Sequence, residues 1–268
     1  MTIKTKIAKF LPDNLKAFIR PVYRKLFQGV SAEKATNLKI SSFDGLDFAF
    51  REGTTDEIII GNRASYRLSS LLPQSTLKDN DVIINIGAHI GVFALIASSV
   101  VPRGKVYAIE ASKDTFNLLR INVAINKLEN ISIHQIAVAD KKGLCTLYHD
   151  TGHWGHSITK QISRHTEIVN SLTLEDFLTE NGIKRCNFLY LNCEGAEFPI
   201  LLSSSRHTLE KFEMILADCH THLWLKNTID DLLSHLQANG LDARLLENEG
   251  GYNRIIAMNS ALRVSSQS

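Results

Sequence analysis

The stretch Asp81–Glu110, DVIINIGAHIGVFALIASSVVPRGKVYAIE, constrains the fold more than any other part of the chain. Val82–Ile86 is a short apolar run whose β-branched residues suit a buried strand. A turn follows at Gly87-Ala88-His89-Ile90-Gly91, then a helix-like apolar segment over Val92–Val100. The chain breaks at Pro102-Arg103-Gly104 and enters a second apolar strand, Val106–Ile109, closed by the acid Glu110. Strand, glycine turn, helix, strand and terminal acid form the opening unit of a nucleotide-binding α/β sheet. Glycines let the backbone bend tightly and approach a ligand, and the helix start presents free N–H groups. An acid at the next strand's tip can accept hydrogen bonds from ribose hydroxyls.

The glycines are spaced G-x-x-x-G, not G-x-G-x-x-G. A dinucleotide site needs the middle glycine so that pyrophosphate can sit on the helix N-terminus. S-adenosylmethionine carries no phosphate, so its site needs the close approach and the ribose acid without that nest. The cofactor expected here is therefore S-adenosyl-L-methionine, and the competing reading is a plain strand-to-helix turn.

A chain of 268 residues, 44% hydrophobic and 22% charged, has the composition of an ordinary globular protein of one large α/β domain with an appendage. The net charge of +2 is unevenly spread: Met1–Phe27 holds seven Lys/Arg against one Asp, leaving −4 on the remainder. That balance disfavours a nucleic-acid partner, which calls for a basic body. Four cysteines form no C-x-x-C pair, no run reaches the length of a membrane span, and no secretory signal is evident. The expected location is cytoplasmic.

The chain divides into a preamble of basic helices and short strands (1–76), a cofactor-binding domain (77–260) and a tail (261–268). Thr2–Phe27 reads as basic amphipathic helices broken near Pro12 and Pro21. They form a cap on the domain or, alternatively, touch an anionic membrane surface or an acidic partner. Leu38–Arg51 reads as a strand pair turning at Asp44-Gly45. After Glu110 come a helix to about Lys127, strands at Ile131–Val138 and Leu144–Tyr148, and an irregular, histidine-rich stretch over Asp150–Thr166. A helix at Leu172–Thr179, a strand at Phe188–Asn192, a helix from about Glu197 to His207 and a strand at Phe212–Ala217 follow. A helix at Leu225–Asn239 and two strands around Glu249-Gly250-Gly251 complete the pattern. The fold expected is a Rossmann-like, mostly parallel seven-stranded sheet with an antiparallel edge strand and helices on both faces.

Ligands bind such sheets beyond the C-terminal strand ends. Polar groups gather there: Asn85, Glu110, Asp140, Asn192 with Glu194, and Asp218 with His220. Glu110 is the candidate for the ribose, Asn85 and His89 for the amino-acid end, and Asp140 for the adenine amine or a simple turn. Transfer to a hydroxyl needs a base, for which Glu194, His220, His156 and His153 are the candidates. Glu194, Asp218 and His220 could instead hold a divalent metal, although no compact ligand motif is present, and no metal is assigned. Glu197 reads as a favourable charge at a helix N-terminus.

Five segments resemble the FkbM-type S-adenosylmethionine-dependent methyltransferases: IINIGAHIGVFALIAS, VYAIEASKDTFNLLRINVAINKLENI, IAVADKKG, SLTLEDFL and FLYLNCEGAEFPIL. EGAE between strand and helix is the distinctive piece; Thr55-Asp56 and Tyr66 also look like the family's. The resemblance implies a class I methyltransferase fold and methyl transfer to a hydroxyl of a sugar or another small molecule. It also implies that Gly87 and Gly91 shape the cofactor turn, that Glu110 binds the ribose, and that Glu194 faces the methyl or the acceptor. The family usually has Asp at the positions of Asn85 and Asn192, and often Asn at that of His89; asparagine keeps an acceptor but loses the charge. Those replacements leave open a cofactor-binding protein with weak or no catalysis. An RNA methyltransferase is a further alternative, drawn from the basic N-terminus, and a nicotinamide dehydrogenase is disfavoured by the missing glycine.

Overall fold

The computed structural model describes residues 37–71, 77–150, 155–249 and 252–265. The basic helices expected over Thr2–Phe27 lie outside these residues, as does His153. Strands β1 (Leu38–Phe43) and β2 (Leu46–Arg51) form a hairpin whose turn, Asp44-Gly45, has both φ values positive, at 50° and 78°. A short helix α1 (Asp56–Gly61) leads toward the main sheet.

That sheet has seven strands: β3 (Val82–Ile86), β4 (Lys105–Ile109), β5 (Ile131–His134), β9 (Cys186–Leu191), β10 (Phe212–His220), β11 (Asp242–Glu249) and β12 (Tyr252–Met258). Their order is β11-β12-β10-β9-β3-β4-β5. The run β10-β9-β3-β4-β5 is parallel, and β12 pairs antiparallel with both β10 and β11. The architecture is thus a Rossmann-like class I methyltransferase fold with a mixed sheet. The antiparallel strand is not at the edge, as the sequence suggested, but one place in. The closing hairpin inserts its second strand beside β10, and β11 takes the edge.

Each inner strand buries both faces, so its side chains alternate between two cores. Ile83, Phe188, Tyr190 and Leu216 face one, with helices α2 (Val92–Val100) and α3 (Lys113–Ile125) over them. Ile84, Ile86, Leu189, Leu191 and Ile215 face the other. That second core is covered by α4 (Leu174–Glu180), α5 (Glu197–Ser203), α6 (Arg206–Leu209) and α7 (Ile229–Ala238). Capping boxes at Thr173/Asp176 and Thr228/Asp231 start α4 and α7.

Several segments depart from the sequence reading. Ile131–Val138 splits at Gln135-Ile136, and its second part, β6 (Ala137–Val138), joins β8 (Thr166–Leu172) and β7 (Gly143–Tyr148) in a separate sheet. Strand β8 has no counterpart in the sequence reading, which ends the irregular stretch at Thr166 and starts a helix at Leu172; its Ile168 and Asn170 are exposed, so apolar alternation is weak there. The expected helix over Glu197–His207 is two, parted at Ser204-Ser205, where the Ser205 hydroxyl caps α6. Ser260–Ser265, placed mostly in the tail, is a helix α8.

The preamble hairpin is held to α3 by two asparagines a turn apart, Asn122 within the helix and Asn126 at its C-cap. Buried Asn122 accepts from Ala49 N–H at 2.6 Å and donates to the Ala49 and Ile90 carbonyls at 3.1 and 2.7 Å. Asn126 pairs the same way with both backbone groups of Asp47. An amide side chain offers donor and acceptor together, and so substitutes for a neighbouring strand. No helix among the described residues is long and apolar enough to cross a membrane.

Candidate functional site

The cleft lies over the C-terminal ends of β3, β4, β9 and β10. It has two chambers, of about 240 and 70 Å³, that share Gly87, His89, Asn192 and Glu194. Gly87 adopts φ +79°, and a Cβ there would overlap the backbone carbonyl of Asn192. The turn therefore passes directly over the end of β9, a closeness only glycine permits. The N–H groups of Gly87 and Ala88 both donate to Ile109 O, which wraps the turn around the tip of β4.

Glu110 ends that tip in the smaller chamber, beside apolar Ile109, Ala137 and Val138. Its Oε2 accepts from His89 N–H and its Oε1 from Ser112 N–H, both at 2.9 Å. Burial pushes its carboxyl up to about 7, partly opposed by those two hydrogen bonds. In the larger chamber Asn85 is 1% exposed, and neither atom of its amide has a hydrogen-bond partner. Unpaired buried amide atoms cost about 1–3 kcal/mol each. The amino-acid end of S-adenosylmethionine offers a carboxylate acceptor and an ammonium donor, which fit such an amide. The apolar walls beside Glu110 match the chemistry of an adenine face, and its carboxylate that of ribose hydroxyls. The site residues thus suit this cofactor.

His89 stands in the left-handed region at φ +53°. This backbone favours asparagine among non-glycine residues, which gives a physical reason for the family's frequent choice there. Its Nε2 lies 3.5 Å from Asp56, which is fully buried in a bidentate pair with Arg51 at 2.7 and 2.9 Å. Burial would raise the Asp56 carboxyl, but the Arg51 hydrogen bond and the charges of His89 and Arg51 hold it low. The hairpin and the cofactor turn are thereby joined through charge.

Glu194 follows β9, also left-handed at φ +55°, with Gly195 at +95°. Its carbonyl accepts from the Ser157 hydroxyl at 2.8 Å, and Gly155 lies against its carboxylate, so the histidine-rich segment folds over it. Burial pushes its carboxyl up to about 7; His220 opposes this, and Glu197 and Asp150 add to it. His220, at the end of β10, sits between two carboxylates: Nδ1 lies 3.0 Å from Glu197 Oε1 and Nε2 3.4 Å from Glu194 Oε1. Burial works against a charge on the ring, yet Glu197, Glu194 and Asp218 together push it up to about 9.

Of the three catalytic candidates, Glu194 and His220 meet. His156 lines the smaller chamber instead, where its Nδ1 accepts from Asp150 N–H at 3.0 Å. Two cofactor candidates stand apart from the cleft. Asp140 is exposed in the turn between β6 and β7, because the chain leaves the main sheet before reaching it; Val138 lines the chamber in its place. Gly91 caps α2 at φ +96°, where an added Cβ would press on Leu119 and Leu95. The metal set considered from sequence is not assembled among the described residues. Asp218 is held by Arg254 at 2.6 and 3.0 Å and accepts from the Tyr190 hydroxyl at 2.7 Å. Sequence reasoning missed this trio, since Arg254 arrives from the closing hairpin with no local signal, and it understated Glu197, whose place in EGAE was the available cue.

The Methyltransferase FkbM domain family matches residues 85–243, more than half of the chain. Methyltransferase 1 of Beauveria bassiana (strain ARSEF 2860) is 26% identical over 144 residues, covering 46% of this chain. The match spans only 58% of that relative's length. The structure is similar to that of Methyltransferase FkbM from Methylobacillus flagellatus KT, with TM-score 0.46, 13% identity, and 91% of this chain and 60% of that one covered. M. jannaschii TYW2 in complex with AdoMet gives TM-score 0.45, 13% identity, and coverage of 84% and 86%. These structural likenesses concern the fold. The expectation that a nucleic-acid partner is unlikely is corrected: RNA-modifying enzymes are among the chains of similar fold, and a modest overall charge does not bar such a partner. By the match over residues 85–243, which spans the glycine turn and the EGAE segment, the chain belongs to the FkbM-domain methyltransferase family.

Proposed function

We propose that the protein is an S-adenosylmethionine-dependent O-methyltransferase acting on a hydroxyl of a sugar or another small molecule. The observation that carries this reading is the Glu194 carboxylate, buried at the junction of the two chambers and 3.4 Å from His220. When bound, the cofactor supplies an electrophilic methyl group on its sulfonium. Glu110 accepts from the ribose hydroxyls, and Asn85 and Asn192 meet the amino-acid end. Glu194 takes the acceptor's hydroxyl proton on a carboxylate oxygen, a role that a base titrating near neutrality fills well. Tyr66, Tyr190 and the Asp218–Arg254 pair line the larger chamber and offer an acceptor aromatic faces with fixed donors and acceptors. Positioning supplies much of the remaining rate in such an in-line transfer.

The test is calorimetric titration with S-adenosylmethionine, followed by methylation of a panel of sugars, phenols and RNA oligonucleotides by the wild type and Glu194→Gln. Hydroxyl-bearing small molecules methylated only by the wild type support the reading. Methylation confined to RNA, or donor binding without any transfer, contradicts it.

A further inference from the structure

The first residue of α5, just past the turn from β9, is a carboxylate that the reading above leaves without a part in methyl transfer. Glu197 is 0% exposed. Its Oε1 accepts the Cys193 N–H at 2.7 Å and lies 3.0 Å from His220 Nδ1; its Oε2 accepts the Gly195 N–H at 2.8 Å. Cys193 and Gly195 flank Glu194. The same carboxylate therefore pins the backbone on both sides of Glu194 and the ring that faces the Glu194 side chain. A residue serving only the N-terminus of α5, a helix of seven residues, would bond its own first turn and leave His220 alone.

We propose that Glu197 is a positioning residue, which holds His220 as a cation aimed at Glu194 and fixes the left-handed turn that presents Glu194 to the acceptor. This inference rests on the reading of Glu194 as the base. Among the described residues His220 faces Glu197 from α5, Glu194 from the turn and Asp218 on its own strand, with the His222 ring 6.0 Å away. Asp218 is neutralised by Arg254, and Lys160 reaches the His222 carbonyl. Glu194 faces His220, Glu197 and Asp150. Among these groups Glu197 acts most strongly on the His220 charge, ahead of Glu194 and Asp218.

The test is an NMR pH titration of His220 in the wild type, Glu197→Gln and Glu197→Asp, each without cofactor, paired with the pH profile of kcat/KM. In the wild type His220 should stay protonated to about pH 9. In Glu197→Gln its midpoint should fall to about 6.5 or below, the value of an ordinary or buried histidine. The acid limb of kcat/KM should move to higher pH, because Glu194 loses a cationic neighbour that outweighs the repulsion from Glu197. Glu197→Asp keeps the charge and should return the His220 midpoint most of the way. A wild-type midpoint near 6.5 overturns the proposal, as does a Glu197→Gln protein whose midpoint is unmoved. If Glu197→Gln does not fold, the wild-type titration and Glu197→Asp decide alone. Because the titration needs neither donor nor acceptor, a high His220 midpoint in a protein that transfers no methyl group would sink the functional reading and leave the geometric one standing.

Discussion

Two carboxylates flank the glycine turn of β3, Glu110 from β4 on one side and Glu194 beyond β9 on the other. Burial pushes both up to about 7, but they are answered differently. Glu110 receives two backbone N–H groups, donors that cannot give up a proton and cannot move. Glu194 faces a histidine that is itself gripped by a second carboxylate. Fixed donors suit a group that binds, since they hold one geometry at every pH. A titratable partner suits a group that exchanges a proton. On the proposed reading, the same burial serves a binding carboxylate and a reactive one, and the partner makes the difference.

Gly87→Ala would collapse the distinction altogether. Its Cβ would overlap the Asn192 backbone, and φ +79° disfavours any side chain, so the two strand ends would be forced apart. We expect a loss of about 3 kcal/mol or more in urea unfolding. Next in size, Glu194→Gln should lower kcat by about 10²–10⁴ while donor affinity measured by calorimetry stays near that of the wild type. Glu110→Gln should do the reverse, weakening S-adenosylmethionine binding by about 10–100-fold with kcat at saturating donor little changed. If both variants lose kcat alone, or Kd alone, the division of roles fails.

The smallest effect is on stability against pH. The folded-state pKa of Glu110 is raised, so its stabilising contribution is complete below its unfolded value near 4.5 and is lost as pH rises through about 7. Without cofactor, Glu110→Gln should therefore be more stable than the wild type to urea at pH 8, by only about 1 kcal/mol because its amide can accept from just one of the two N–H donors, with the gap closing toward pH 5. A gap that widens toward pH 5 would mean that the backbone donors, and not burial, dominate.

The two regions also differed in how far the sequence exposed them. Glu110 was legible because strand, glycine turn, helix and acid follow one another within thirty residues, and local spacing fixes what the fold then does with them. Glu194 and His220 were both legible as strand-end candidates, but their contact with each other and with Glu197 was not, since His220 stands 26 positions on and reaches Glu194 only through the pairing of β9 with β10. Asn122 and Asn126 looked like ordinary helix positions, and their grip on β2 depends on contacts 73 and 79 residues apart. Arg51–Asp56 is close in sequence, yet its link to His89 needs the hairpin to dock first. Asp140 misled because a polar residue after a strand signals a ligand edge only if that strand belongs to the main sheet, and β6 does not. The antiparallel strand was recognised by its turn, but which of two hairpin strands takes the edge is a matter of packing.

A crystal structure with S-adenosylhomocysteine tests the division of labour between the two carboxylates most directly. The account predicts ribose hydroxyls within hydrogen-bond reach of Glu110 and the sulfur turned toward the larger chamber, with Glu194 on its open side. A ribose bound away from Glu110, or a sulfur facing away from Glu194, would contradict it.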